Sequence, residues 1–449
     1  MLTDTPVHYA LEYAIKLVLK KLTFTLAGSC LIFFSAHSQA AAPCDSDAIP
    51  PVLTKEIALK RLLQCNLDIV DSKRNIISNE ANLTVAGQMQ NPNLTIGVGS
   101  ISPKLGVGSG PYFDKTIDNS VRYEQLIERG NKRDLRKKSA QSQIAASSED
   151  VLDVERQQSI NLLRAMVDLA AVNARIELLS QVVALYDETL KASTIRTEKG
   201  DLPAIDVQRQ KIDANRAQIE LRQARAEARA TQISLAKLLA WETKADAIQV
   251  DPAILDIAAL DASNFDLSNR ADIKAAKLRV ESAVSQLDLA QALRKSDITA
   301  GVQYDHWPTS NANTNGTGDT ISFTIGLPLT VNHSYEGEIA RANSDYEAAK
   351  EALTHTEANA KTEWERINAD VASAETNLEI LQKEQLPRAE DVASTVELGY
   401  KKGALSLLDL LDARRMLRQT RLDTVNARAN LARSVLTRNQ SISLSSVNY

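Results

Sequence analysis

Asp409 and Asp412 are the residues best placed to do chemistry. In Asp409-Leu410-Leu411-Asp412-Ala413 they stand three apart, so a helix carries both on one face. Paired carboxylates in a narrow passage attract cations and repel anions. Acids near a helix start also complement its dipole, and the sequence leaves both roles open. No catalytic constellation accompanies them. Of five His, His8 and His37 lie near the N-terminus, and no two His stand at i, i+4. There is no Cys-x-x-Cys and no phosphate-binding Gly loop. Asp305-His306 and His333 are metal-ligating types, but a strand end and a strand-to-helix turn ordinarily carry polar residues. Met1, Met89, Met166 and Met416 are too scattered for a thioether relay. Neither an enzyme activity nor a resident metal or cofactor is assigned.

The acids follow a turn that occurs twice. Lys199-Gly200-Asp201-Leu202-Pro203-Ala204-Ile205-Asp206 returns as Lys402-Gly403-Ala404-Leu405-Ser406-Leu407-Leu408-Asp409, with Lys, Gly, Leu and Asp at a constant offset of 203. Gly200 and Gly403 suit the left-handed residue that ends a helix. Pro203 suits the first turn of the next one, where its missing N–H is not needed. Long Gly-poor and Pro-poor stretches flank each turn, so the chain climbs a long helix and returns, twice. Further echoes lie at an offset of 204: Leu83, Ala86, Thr95, Gly97 and Val98 with Leu287, Ala290, Thr299, Gly301 and Val302. The expected organisation is an export signal over 1–42, a first repeat over 43–248 and a second over 249–449.

Aromatics are only 4% of 449 residues, which favours helices with narrow seams over a large globular core. The net charge of −5 offers nucleic acid no general attraction. Lys20 and Lys21, the apolar run Leu22 to Phe34 and the small residues Ala40, Ala41 and Ala42 have the order of a secretory signal. No other stretch approaches about 18 continuous apolar residues. Cys30 would leave with the signal. Cys44 and Cys65 would remain in an oxidising compartment, either bridged or as two thiols.

A helix is expected from about Thr54 to Gln90, closed by Asn91-Pro92-Asn93. Strands follow over Leu94–Gly99 and Asp118–Leu126, then helix from Lys132 to the turn at Gly200 and back to Trp241. Sixty-odd helical residues span about 90–100 Å, more than a globular domain needs. After an irregular connection over 244–267, strands are expected at Ile298–Tyr304 and Ile321–Leu327. In the next helix Ala342, Tyr346, Ala349 and Leu353, then Ala360, Trp364, Ile367, Val371, Ala374, Leu378 and Leu381, step by 4 and 3. That is a coiled-coil seam with one stutter.

The strands alternate apolar with small or polar residues, which fits one face to lipid and one to a wet lumen. Four strands cannot close a barrel, and lipid does not tolerate open edges, so several copies must combine. On these features the sequence resembles the TolC-type outer-membrane efflux proteins over nearly the whole mature chain. Glu124-Gln125-Leu126-Ile127-Glu128-Arg129-Gly130-Asn131-Lys132-Arg133, and Ile325-Gly326-Leu327-Pro328-Leu329 with Gly337-Glu338-Ile339, resemble the cobalt–zinc–cadmium (CzcC-like) branch. One departure is Ala271, where the family often has Pro.

The resemblance implies a mainly helical fold with a small β part. A homotrimer would set a twelve-stranded barrel in outer-membrane lipid above a long periplasmic helical tunnel. It implies an exit channel of a tripartite system exporting heavy-metal cations, with an inner-membrane RND transporter and a periplasmic membrane-fusion adaptor as partners. A multidrug or protein-export channel and, less well, an adaptor protein are the alternatives. Asp409 and Asp412 would form a ring of six carboxylates at the channel mouth. Tyr400 and Asp206 match positions of a mouth latch, while Leu405 replaces the family's neighbouring Arg. Gly200, Leu202, Gly403 and Leu405 would form the tips that meet the adaptor.

Overall fold

A computed structural model of the chain describes Cys44 and residues 48–443, apart from 105, 111–114, 201, 257, 259–265 and 308–317. The expected signal and Cys30 lie outside the described residues. The chain divides into two units, Met1–Ala48 and Ile49–Tyr449. Of the first, Cys44 and Ala48 are described.

The expected first helix is two helices. α1 spans Lys55–Cys65 and α2 spans Leu67–Gly87. Asn66 separates them because its side-chain oxygen accepts from the N–H groups of Asp68 and Ile69 and caps α2. Its Nδ2 also donates to Leu238 O at 3.1 Å. Strands β1 (Asn93–Gly99) and β2 (Asp118–Ile127) lead to α3 (Lys132–Glu198), which returns as α4 (Ala204–Leu238). Short 3₁₀ turns fill the connection to α5 (Ala271–Ala292). Then come β3 (Ile298–Trp307), β4 (Gly318–Gly326), α6 (Glu336–Ile380), α7 (Leu386–Lys401) and α8 (Leu407–Ser443).

One antiparallel sheet holds the strands in the order β1-β2-β3-β4. Its register sorts the side chains. Leu94, Tyr123, Val302 and Phe323 share one row, and Ile96, Val121, Tyr304 and Ile321 the next on that face. Thr95, Arg122, Gln303 and Ser322 share a row on the other face, next to Gly97, Ser120, Asp305 and Thr320. One face is apolar and exposed and the other polar, which is the alternation expected of a wall between lipid and water. β3 runs three residues past its expected end at Tyr304, because Asp305, His306 and Trp307 still pair with β4.

α3 alone is long and apolar enough, over 18 residues, to cross a membrane among the described helices. Its apolar stretch instead supplies Leu162, Leu163, Met166 and Val167 to the main core, with Leu62 of α1, Leu235 of α4 and Leu436 of α8. Arg61 closes this core by stacking on Trp241 at 4.4 Å while its Nε donates to Leu239 O at 2.9 Å.

The α6 seam appears as expected. Ala360, Ile367, Val371 and Ala374 are buried, and Ala342, Tyr346, Ala349 and Leu353 half-buried, on an otherwise exposed helix. The helix stays unbroken through the stutter. Its interruption comes later, as a π turn over Leu381–Gln385 directly before Pro387. Proline lacks an N–H and its ring crowds the carbonyl four residues back. The wider turn accommodates it, with Leu386 N–H donating to Leu381 O.

Candidate functional site at the hairpin tips

Each turn ends its helix in the same way. Gly200 and Gly403 have φ of 82° and 75°, and their N–H groups donate to Thr197 O and Tyr400 O at 3.0 Å. At the second tip Ala404 N–H also reaches Gly399 O at 2.9 Å. Leu405, 39% exposed, folds back over Gly399, where a Cβ would stand 2.6 Å from it. A leucine therefore packs on the helix end at the position where the resemblance led to an arginine. Leu202 is half-buried at the first tip.

α8 begins with a reciprocal cap. Ser406 donates from its N–H and its hydroxyl to Asp409 Oδ2, at 2.9 and 2.7 Å, and Asp409 N–H lies 3.3 Å from Ser406 Oγ. The Ser406 hydroxyl, then its N–H, hold the Asp409 carboxyl below the ordinary carboxylate range. Helix-start acid is thus an observed role of Asp409. The residue stays exposed, so its charge still faces outward.

Asp412 is also exposed, and it accepts from Arg415 Nη1 at 3.1 Å. Arg415 Nη2 meanwhile reaches both oxygens of Asp213 on α4, at 2.9 and 2.8 Å. Asp213 is only 3% exposed. Tyr186 of α3 is buried beside it, and burial pushes its phenol above the usual range. Around this pair Tyr186, Ala214 and Ala217 pack on Leu407, Leu410 and Leu411. The two hairpins are therefore joined near their tips by an apolar patch with an ion pair in it.

The two expected latch residues each face an arginine of their own chain. Tyr400 OH accepts from Arg196 Nη1 at 3.4 Å, and Asp206 Oδ1 accepts from Arg209 Nη1 at 3.5 Å. Asp213, Arg415 and Arg196 went unnoticed in the sequence. A signal for them existed: Asp213 and Arg415 are 202 apart and Arg196 and Tyr400 are 204 apart. Those separations bracket the repeat offset, which puts the partners at similar heights above their turns.

The histidines lie elsewhere. His306 is buried and its Nδ1 is hydrogen-bonded to Asp319 Oδ1 at 2.7 Å, while Asp305 accepts from Gln303 at 2.7 Å. His333 Nε2 pairs with Glu338 at 2.9 Å. Among the described residues no three His, Cys, Asp or Glu side chains form a group that could hold a metal ion. Cys44 and Cys65 are both disulfide-bonded.

An exposed acid pair beside helical tips can gather cations or meet a partner. Comparison with known proteins agrees with a channel of this build. The cobalt-zinc-cadmium resistance protein CzcC of Cupriavidus metallidurans is 20% identical over 418 residues, which cover 89% of this chain and 94% of that one. The fold is shared with VceC, an outer membrane protein of Vibrio cholerae, at TM-score 0.71 and 18% identity over 86% of this chain and 95% of that one. It is shared equally with CusC, at TM-score 0.73 and 14% identity over 86% and 91%. The family model described as outer membrane efflux protein matches residues 58–240 and 265–438, and the chain belongs to that family.

Proposed function

We propose that this protein is the passive outer-membrane exit channel of a tripartite pump exporting divalent heavy-metal cations such as cobalt, zinc and cadmium. The two-faced sheet with two open edges carries the channel part of the proposal. Three copies would close it into a barrel, with the helices extending into the periplasm. The metal part rests on the similarity to CzcC along 89% of the chain. The energy would come from an inner-membrane RND transporter, joined through a membrane-fusion adaptor at Gly200, Leu202, Gly403 and Leu405. Residues 1–42 would be the export signal, and 43–248 and 249–449 two copies of one unit.

In this scheme Asp409 and Asp412 of three copies ring the mouth. Like charges in a narrow passage raise the local cation concentration and repel anions. Tyr400 and Asp206 would form the hydrogen-bonded latch that holds the mouth closed. Deleting the gene in its own host tests the substrate. Cells should become more sensitive to zinc, cadmium or cobalt than to hydrophobic drugs; the reverse ranking would make the protein a multidrug channel.

A further inference from the structure

On the apolar face, β4 carries Ile321, Phe323 and Ile325, which are 62, 83 and 80% exposed. The alternation continues where strand pairing stops. Leu327, Leu329 and Val331 follow at the same spacing, 48, 75 and 78% exposed, separated by Pro328 and Thr330. Nothing comparable follows β2. There Glu128 is held by Arg136 at 2.8 Å, Arg129 N–H by Asp297 at 2.8 Å, and α3 starts at Lys132. After β4 the chain runs on, outside any strand or helix, until α6 begins at Glu336.

The lengths say what this stripe is for. The outward apolar band of a membrane barrel is about 25 Å tall and its strands tilt about 40°. Crossing it takes about 33 Å of strand, or about ten residues at about 3.3 Å each. Ile321 to Ile325 supplies only about 13 Å of that. Leu327, Leu329 and Val331 carry the apolar face past that end from outside the strand, where side chains alone can cover the remainder. At the far end the band already gives way on three of the four strands, since the next row on this face holds Asn119, His306 and Asp319 beside Val98. The shortfall therefore lies at the end that leads into α6.

We propose that Leu327–Val331 is a lipid-binding collar on the periplasmic rim of the barrel. Leu327, Leu329 and Val331 enter the acyl boundary of the inner leaflet. The backbone stays in the hydrated headgroup layer, because unpaired peptide groups are not tolerated in hydrocarbon. Phospholipid is the occupant because the stripe is continuous, residue by residue, with the lipid face of β4. The proposal rests on the outer-membrane channel reading.

Variants of the full chain with one introduced cysteine, nitroxide-labelled in phospholipid vesicles without reducing the native Cys44 and Cys65, test it through collisions with oxygen and with a water-soluble nickel chelate. Phe323→Cys reports the barrel itself. Leu329→Cys should match it, favouring oxygen, while Thr330→Cys should favour nickel. Nickel access at Leu329→Cys equal to that at Thr330→Cys would overturn the collar. So would shielding of Leu329→Cys from both reagents, which would mean that a second copy of the chain covers it. If Phe323→Cys itself favours nickel, the barrel reading fails and the collar fails with it.

Discussion

Asp409 and Asp412 divide a task that the sequence left undivided. Asp409 caps α8 through Ser406, and Asp412 leans on Arg415. Both remain exposed, so capping and cation attraction are compatible and can be separated experimentally. Asp409→Ala with Asp412→Ala should abolish cation selectivity and divalent block in planar bilayers while the protein still assembles. Unchanged selectivity in a folded double variant would leave them as helix-start acids. Ser406→Ala keeps both charges, so it should lower thermal stability with selectivity intact. That loss has a pH signature. The carboxyl is depressed in the folded state, so its contribution is complete above the ordinary carboxylate value of 3.8 and fades as pH falls through the lowered one. The gap in Tm between wild type and S406A should therefore close in acid below that value.

Arg415 is the residue that sequence reasoning most needed and did not find, because its partner Asp213 lies on the other hairpin. Arg415→Ala leaves a carboxylate that is 3% exposed with only the exposed Arg216, 4.0 Å away, as a cationic partner among the described residues. The expected cost is about 2–3 kcal/mol in chemical unfolding, below the full cost of a buried pair because the guanidinium is partly exposed. A loss under about 0.5 kcal/mol, the scale of a surface pair, would demote the contact. For the cysteines, a bridge from Cys44 to Cys65 is proposed, closing a loop of about 20 residues worth roughly 3 kcal/mol in the chain-entropy model. Mass spectrometry of the unreduced mature protein should find one linked peptide pair; two free thiols would end the idea.

At the scale of elements, periodicity located almost everything that repeats. The α6 seam and the four strands were legible because burial on one face imposes a period on the sequence. Interruptions were harder. The split at Asn66 depends on a side chain capping α2 where a helix could equally have run on. The π turn depends on where the helix absorbs Pro387, and a heptad pattern does not record that. The two hairpins differ here. Counting back by the turn offset of 203 from Pro387 leads to Ala184, in the unbroken α3. Pro387→Ala should therefore let α6 and α7 merge into one continuous helix, gaining about 1 kcal/mol or more. Amide exchange over residues 381–387 should slow. If exchange stays as fast as in wild type, the π turn is set by packing against α8 and not by the proline.

The whole molecule poses a problem that one chain does not solve. β1 and β4 are the outer strands of the sheet, so each has one side without a strand partner among the described residues. In water such edges invite aggregation, and in lipid each unpaired peptide group costs several kcal/mol. The remedy consistent with one repeated contact is a ring in which β4 of each copy pairs with β1 of the next. Four strands are too few to enclose a lumen, whereas three copies supply twelve, a size that leaves a water-filled interior. The polar row of Arg122, Gln303 and Ser322 would then line that interior and the row of Leu94, Tyr123, Val302 and Phe323 would face lipid. Protein extracted in mild detergent should accordingly have three times the mass of the mature chain by light scattering. Dissociating it should also erase the strand signal in circular dichroism while the helical signal persists. The helices satisfy their own backbone and keep the main core within one chain, whereas the strands depend on their neighbours. A monomer that retains its strand content would show that four strands suffice alone, and the ring would have to be abandoned.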